Sequence, residues 1–273
     1  MVSQEQRRRQ LAREKFLRQQ QRRTSARRKA RMRNSVIASV LGVIVIGSVV
    51  LYTTGALKNH DDKANASSET TPSASATSKA PDPCEKAAAG SVKKMSWKKE
   101  PATTIDTSAK YTMTLATTCG DIGIALKTSA APHTVNSFNF LASKGYFDHS
   151  KCHRLTTNGI YVLQCGDPTG TGSGGPGYTI PDENLKDKSL KGGVYPAGTV
   201  AMANTGQKHT GGSQFFLVYQ DSQLPASYTP FGTVDAAGMK ILKKIAAAGE
   251  NTGQGDGAPN ATVVINKATV TKS

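Results

Sequence analysis

Residues 199–218 read TVAMANTGQKHTGGSQFFLV. Val200 and Met202 mark a short apolar strand. A polar, glycine-bearing loop opens at Asn204, and a second strand follows, led by Gln214, Phe215 and Phe216. Upstream, the stretch HRLTTNGIYVLQCGD (153–167) reads as strand, turn, strand. A cross-strand register that makes Arg154 and Gln164 neighbours puts both side chains on one face.

The flanking sequence supplies the rest of a domain. Tyr111, Met113 and Leu115 alternate with threonines, Thr118–Asp121 is a turn, and Ile122, Ile124 and Leu126 alternate again, so the pair is a hairpin. Ala131-Pro132 opens a helix whose apolar face is Val135, Phe138, Leu141 and Ala142, and Gly145 ends it. A second helix, 236–248, presents Met239, Leu242, Ile245 and Ala246 and stops at Gly249. Residues 263–270 form a last strand. Many short strands with two helices predict a mostly β fold, a closed antiparallel barrel. Gly170-Thr-Gly172-Ser-Gly-Gly175 matches a dinucleotide-binding pattern, but Pro176-Gly177-Tyr178 follows it, so no helix N-terminus meets a pyrophosphate. It reads instead as a flexible surface loop.

The Ala-Met-Ala-Asn run, the loop after it, Gly-Ser-Gln-Phe-Phe, and the upstream His-Arg-Leu and Gln-Cys-Gly-Asp together resemble the cyclophilin family of peptidyl-prolyl isomerases, over residues 110–273. The resemblance implies an eight-stranded closed barrel and isomerisation of Xaa-Pro bonds without metal or cofactor. It implies that Arg154 is the catalytic cation and that Gln164 orients it and the peptide. It implies that Tyr161, Val162, Phe216 and Leu224 line a proline pocket with Tyr228 at its edge, and that Ala203, Asn204 and Gln214 bind substrate backbone. The Arg154-to-Gln164 segment is about two residues longer than in familiar members, so Tyr161 and Val162 are assigned by counting back from Gln164. Gln223 stands where many members have Trp, and Tyr228 where a His is common, so weak cyclosporin binding is expected. A non-catalytic proline-peptide-binding chaperone on the same fold is the competing reading.

Prolyl rotation has a barrier of about 18–20 kcal/mol because the C–N bond has partial double-bond character. The prolyl nitrogen gains a free lone pair as the amide twists. A cation bonded to it then acts on the transition state rather than on the ground state. Arg suits this role, being always charged with a planar fork of donors.

The four cysteines lack metal-ligand spacing, and sequence alone allows three pairings. Cys152 precedes His153 and Cys165 follows Gln164, so pairing of the two strands brings these cysteines close. Strict alternation would place them on opposite faces, so the inserted residues are expected to shift the register. Cys152–Cys165 and Cys84–Cys119 are the favoured pairs. His133, His149, His153 and His209 follow no ligand spacing.

The basic charge is uneven. Residues 1–33 hold 13 Lys/Arg and 2 Asp/Glu, a net +11, against +5 for the other 240 residues. Residues 34–57 are uncharged and 36–52 almost wholly apolar. At 1.5 Å per residue, 24 residues reach about 36 Å, enough to span a hydrocarbon core of about 30 Å. The basic flank places the N-terminus in the cytoplasm and the domain outside the cell membrane, as a single-pass anchor. A cleaved signal peptide is the runner-up. The arm is then a juxtamembrane segment held by anionic lipid headgroups rather than a specific nucleic-acid reader. Residues 58–109 read as a disordered tether and lead-in, since 58–83 carry no apolar side chain larger than Ala. In the lead-in, Trp97 is a candidate for packing on the domain.

Overall fold

A computed structural model describes residues 81–273. The basic arm (1–33), the expected membrane span (34–57) and residues 58–80 of the expected tether lie outside the described residues. Among the described residues no helix is long and apolar enough to cross a membrane.

The hairpin forms from β1 (Tyr111–Thr117) and β2 (Gly120–Leu126), with Met113 opposite Ile124 and Leu115 opposite Ile122. These four are buried, as the alternation requires. Helix α1 (Pro132–Ser143) ends in a Schellman motif. Gly145 adopts φ +68°, its N–H donates to Ala142 O (2.9 Å), and Tyr146 N–H donates to Leu141 O (3.0 Å). Helix α2 (Ala236–Ala247) is capped by the Asp235 carboxylate, which accepts from Gly238 N at 2.6 Å. It packs on β2, and α1 packs on the C-terminal strand β12 (Val264–Lys272).

The middle of the chain supplies β3 (Ser150–Lys151), β4 (Arg154–Thr156), β5 (Val162–Cys165), β6 (Val194–Tyr195), β7 (Thr199–Met202), β8 (Phe215–Val218), β9 (Ser222–Gln223), β10 (Pro230–Val234) and β11 (Asp256–Gly257). Ten strands form one sheet in the order β11-β4-β5-β8-β7-β10-β2-β1-β12-β3, and β6 pairs with β9 apart from it.

The fold is mostly β with two helices, but the expected closed eight-stranded barrel is corrected. The sheet is a curled half-barrel of ten strands, and its ladder ends at β11 and at β3. At the seam between β3 and β4 the chain changes partner within two residues: Cys152 N–H donates to Val263 O (3.0 Å) while His153 N–H donates to Gln164 O (3.1 Å).

Disulfides join Cys152 to Cys165 and Cys84 to Cys119. The expected register shift is corrected: Arg154 faces Gln164 and Leu155 faces Leu163 without a break. At the tip of this hairpin Asn158 bridges to Ile160. Cys152 lies between β3 and β4, outside the ladder that pairs β4 with β5, so strand alternation does not fix its direction relative to Cys165.

The main core fills the inner side of the curl. Phe138 meets Phe231, Phe147 and Phe215 at centroid distances of 4.5, 5.3 and 5.4 Å. A smaller apolar cluster gathers Val162, Tyr195, Ala201, Phe216 and Val218. In β8 every side chain is buried: Phe215 and Leu217 join the main core, Phe216 and Val218 the smaller cluster.

Before β1, residues 84–109 form an irregular strap laid over the domain. Glu85 N–H donates to Thr118 O (2.8 Å), and Trp97 N–H donates to Pro176 O (2.8 Å). The Trp97 ring meets Phe140 edge-on at 5.1 Å and Tyr146 at 5.9 Å. The buried Asn136 of α1 donates to Pro101 O and Ala102 O and accepts from Thr104 N. Asn136 is one of the polar residues that α1 buries beyond its apolar stripe, with Thr134 on Glu183 and Ser137 on Tyr178.

Candidate active site

Four adjacent strands place one row of residues. Arg154 on β4 faces Gln164 on β5, Gln164 faces Phe216 on β8, and Phe216 faces Ala201 on β7. Directly opposed residues of antiparallel strands share a face, so a cation, an amide and an aromatic ring stand side by side.

The Arg154 guanidinium is held on two sides. Nη1 donates to Gln164 Oε1 at 3.2 Å. Nε and Nη2 donate to the two carboxylate oxygens of Asp256 at 2.7 and 2.8 Å. Asp256 lies on β11 opposite Thr156, two residues along β4 from Arg154, the diagonal position a long side chain can span. The Asp256 carboxylate raises the Arg154 pKa further, so the group is charged throughout the working range. Three of its five N–H donors are engaged, which leaves donors for a ligand. His153, next in sequence, has its pKa lowered by burial and then by the Arg154 charge, so it adds no second cation at neutral pH.

Gln164 is held in turn. Its Nε2 donates to Gln214 Oε1 at 2.9 Å, and Gln214 Nε2 donates to Gly174 O at 2.9 Å. The network reaches the glycine-rich loop, whose organiser is Asp167. This fully buried carboxylate accepts from the N–H groups of Thr169 (2.7 Å), Thr171 (3.1 Å), Gly172 (2.6 Å) and Gly174 (3.1 Å), and from the Thr169 hydroxyl. Burial alone would raise its pKa, but those donors hold it down at about 2. The loop read as flexible is therefore fixed by a buried anion at its base. Gly174 also has no room for a side chain, since a Cβ there would run into the Asp167 carboxylate.

The smaller apolar cluster supplies a pocket beside the cation. Val162 and Phe216 are buried in it, and Ala203, Leu224 and Tyr228 pack half-buried against it. The Tyr228 ring stands edge-on to Phe216 at 5.4 Å and 82°. The hydroxyl of Tyr195 donates to Tyr228 O at 2.8 Å and accepts from Tyr228 N at 3.2 Å, fixing that rim. Ala203 N–H donates to Gln214 O (2.9 Å). The Asn204 side chain ties down loops rather than pointing free: Nδ2 donates to Ser227 O (2.8 Å) and Oδ1 accepts from Gly206 N (2.9 Å). Gln223 is exposed and donates to Gly192 O (2.8 Å).

One residue moves out of the pocket. Tyr161 packs against the main core and meets Tyr219 at 5.9 Å. Val162 and Gln164 face the groove, so period-two alternation turns Tyr161 the other way. Ile160 takes its place, half-buried against the smaller cluster. Sequence reasoning also missed Tyr195 and Asp256. Among the described residues no group of three or more His, Cys, Asp or Glu could hold a metal ion.

The arrangement offers an apolar slot for a ring and an adjacent fixed cation, beside a polar wall of Gln164, Gln214 and Asn204. A family model described as cyclophilin type peptidyl-prolyl cis-trans isomerase/CLD matches residues 112–270. The chain is 50% identical over 165 residues to a probable peptidyl-prolyl cis-trans isomerase B of Mycobacterium leprae, covering 58% of this chain and 56% of that protein. It is 40% identical over 125 residues to the peptidyl-prolyl cis-trans isomerase B of Bacillus subtilis, covering 45% of this chain and 82% of that protein. The chain thus spans just over half the length of its mycobacterial relatives. In structure it is similar to a cyclophilin type peptidyl-prolyl cis-trans isomerase of Cryptosporidium parvum, with a TM-score of 0.50 and 25% identity, covering 60% of this chain and 99% of that one.

Proposed function

The chain belongs to the cyclophilin-type peptidyl-prolyl cis-trans isomerase family, and on that premise we propose that it catalyses rotation about Xaa-Pro bonds in polypeptides. The row Arg154–Gln164–Phe216 carries this reading. The prolyl ring sits over Phe216 and Val162, within Leu224 and Tyr228. Arg154 donates a free N–H to the prolyl nitrogen as the amide twists, an interaction stronger in the transition state than before it. Gln164 holds the guanidinium, while Ala203, Asn204 and Gln214 align the flanking peptide. The reaction moves no proton and forms no covalent bond, so no general base is required.

The test is exchange of a short Xaa-Pro peptide, followed by NMR with the full chain and with Arg154→Ala. Removal of one pre-organised transition-state donor costs about 10²–10³ in rate in other enzymes, and a loss of that order is expected. A parent protein that binds the peptide but does not speed exchange would instead make this a proline-binding chaperone.

The setting proposed is a single-pass membrane protein with the isomerase domain outside the cytoplasm, acting on exported chains. Two disulfides support an oxidising compartment, and the uncharged run at 34–57 behind a basic arm supports the anchor. The arm would lie against anionic headgroups. Cell fractionation, with protease applied to intact cells, tests this: recovery in the soluble cytoplasmic fraction would end it. The exposed Gln223 offers no indole for packing a cyclosporin side chain, and weak binding is expected in a titration.

A further inference from the structure

The row does not end at Gln164. A groove of about 1110 Å³ is lined by Gln164, Ala203, Asn204 and Gln214 and also by Lys98, Lys99 and Glu100. The last three belong to the strap, which precedes the family match at residue 112. One wall of the groove is thus built by sequence outside the family domain.

That wall is held in place. The Cys84–Cys119 disulfide anchors the start of the strap. Trp97, next to the lysines, is fixed by its N–H to Pro176 O and by its ring on Phe140 and Tyr146. The approach to the loop is close enough that a Cβ on Gly177 would come within 2.7 Å of Trp97 O. Past the lysines, Glu100 accepts from or pairs with His133 Nδ1 at 2.7 Å, and that contact raises the His133 pKa.

The charge on the wall is unbalanced. Glu100 is the one carboxylate lining the groove among the described residues, and His133 occupies it. Lys98 and Lys99 are exposed and make no ion pair among the described residues. The rest of the lining is neutral. We propose that Lys98 and Lys99 form a subsite for acidic side chains of the substrate, so that the protein prefers proline-containing peptides with carboxylates a few residues from the prolyl bond. This rests on the proposed isomerase reading for its substrate. The occupant is a peptide because the groove is continuous with the amide groups that flank the prolyl pocket. Two solvated lysines give a modest preference, about three- to ten-fold, that weakens with salt.

Binding separates this from catalysis. Fluorescent Ala-Pro peptides carrying a Glu pair or a Gln pair, scanned on either side of proline, are titrated into the full chain by anisotropy. The same peptides are titrated into K98Q/K99Q. The basic arm attracts acidic peptides in both proteins, so the quantity read is the Glu-to-Gln affinity ratio in the parent divided by that in the variant. A quotient of about three or more at one register is expected. It should vanish when Ala replaces proline. A quotient of one at every register, with the variant folded by circular dichroism, overturns the subsite. Arg154→Ala is expected to lose exchange yet keep the quotient, so failure of the isomerase reading shows as absent exchange in the parent, independently of the quotient.

Discussion

Asp256 grips Arg154 in the side-on manner, one carboxylate oxygen 2.7 Å from Nε and the other 2.8 Å from Nη2, although the two lie 102 residues apart in sequence. The contact turns the remaining edge of the guanidinium towards Gln164 and the pocket. A planar fork held at three points has one orientation, while an Arg held at one point sweeps many.

Asp256→Ala is therefore expected to slow exchange by about ten-fold, the effect of a misplaced rather than a missing catalytic group. Peptide affinity should change little. The pair is half solvent-exposed, so stability should fall by no more than about 1 kcal/mol. Asp256→Glu should restore part of the rate, because a carboxylate remains. Exchange rates by NMR with a denaturant titration check this. An unchanged rate in Asp256→Ala would mean that Gln164 alone orients the guanidinium.

Ile160 and Tyr161 are adjacent but face different clusters. Ile160→Ala should weaken peptide binding a few-fold with little change in the rate of bound peptide, since it trims the rim of the ring slot. Tyr161→Ala should lower stability, by about 2 kcal/mol for a half-buried aromatic ring, and leave affinity nearly unchanged. Peptide titration and thermal melts on the two variants separate the effects. The opposite pattern would put Tyr161 back in the pocket.

What the sequence made legible was local alternation. Met113, Leu115, Ile122 and Ile124 declare their strands, and Gly145 declares the end of α1, because each follows from a period or a turn within a few residues. Arg154 and Gln164 were legible together because they share one hairpin. Asp256 was not: β11 is two residues long and lies within NTGQGDG, where no period exists to read. Tyr161 was misplaced because counting back from Gln164 ignores the parity of a strand. The strap was legible only at its anchors, Cys84 and Trp97. Its other contacts, Ile105 and Met95 on the core and the Asn136 amide on Pro101 and Ala102, are scattered and leave no pattern along the chain.

Asp167 sets an acid limit. Its pKa in the folded protein is about 2, below the unfolded value of about 3.9. The unfolded chain therefore binds the proton first as pH falls. The stabilisation is complete above about pH 4 and is lost as the pH drops through about 2, on the order of 2 kcal/mol. Asp167→Asn keeps the shape but loses the anion, and should flatten this part of the stability curve. Because Asp167 organises the loop that accepts from Gln214, peptide affinity should also fall in that variant at neutral pH. Denaturant unfolding from pH 5 to pH 2 on both proteins is the check, and parallel curves would remove Asp167 from this role.

The two disulfides should act differently. Cys152–Cys165 closes a short loop, separation 13, around the hairpin that carries Arg154 and Gln164, and it ties the seam where the ladder is broken. Chain entropy for a loop of that size gives about 3 kcal/mol, so C152S/C165S should lower both stability and exchange rate. Cys84–Cys119 has a separation of 35 and anchors the strap to the β1–β2 turn. C84S/C119S should leave exchange of a neutral peptide near the parent rate, since the row on β4, β5 and β8 is untouched, while the affinity ratio for acidic over neutral peptides declines. Thermal melts, exchange of a neutral peptide and the affinity ratio, measured on both double variants, distinguish them. Equal losses of exchange in the two would mean that the strap supports the catalytic row itself rather than only one wall of the groove.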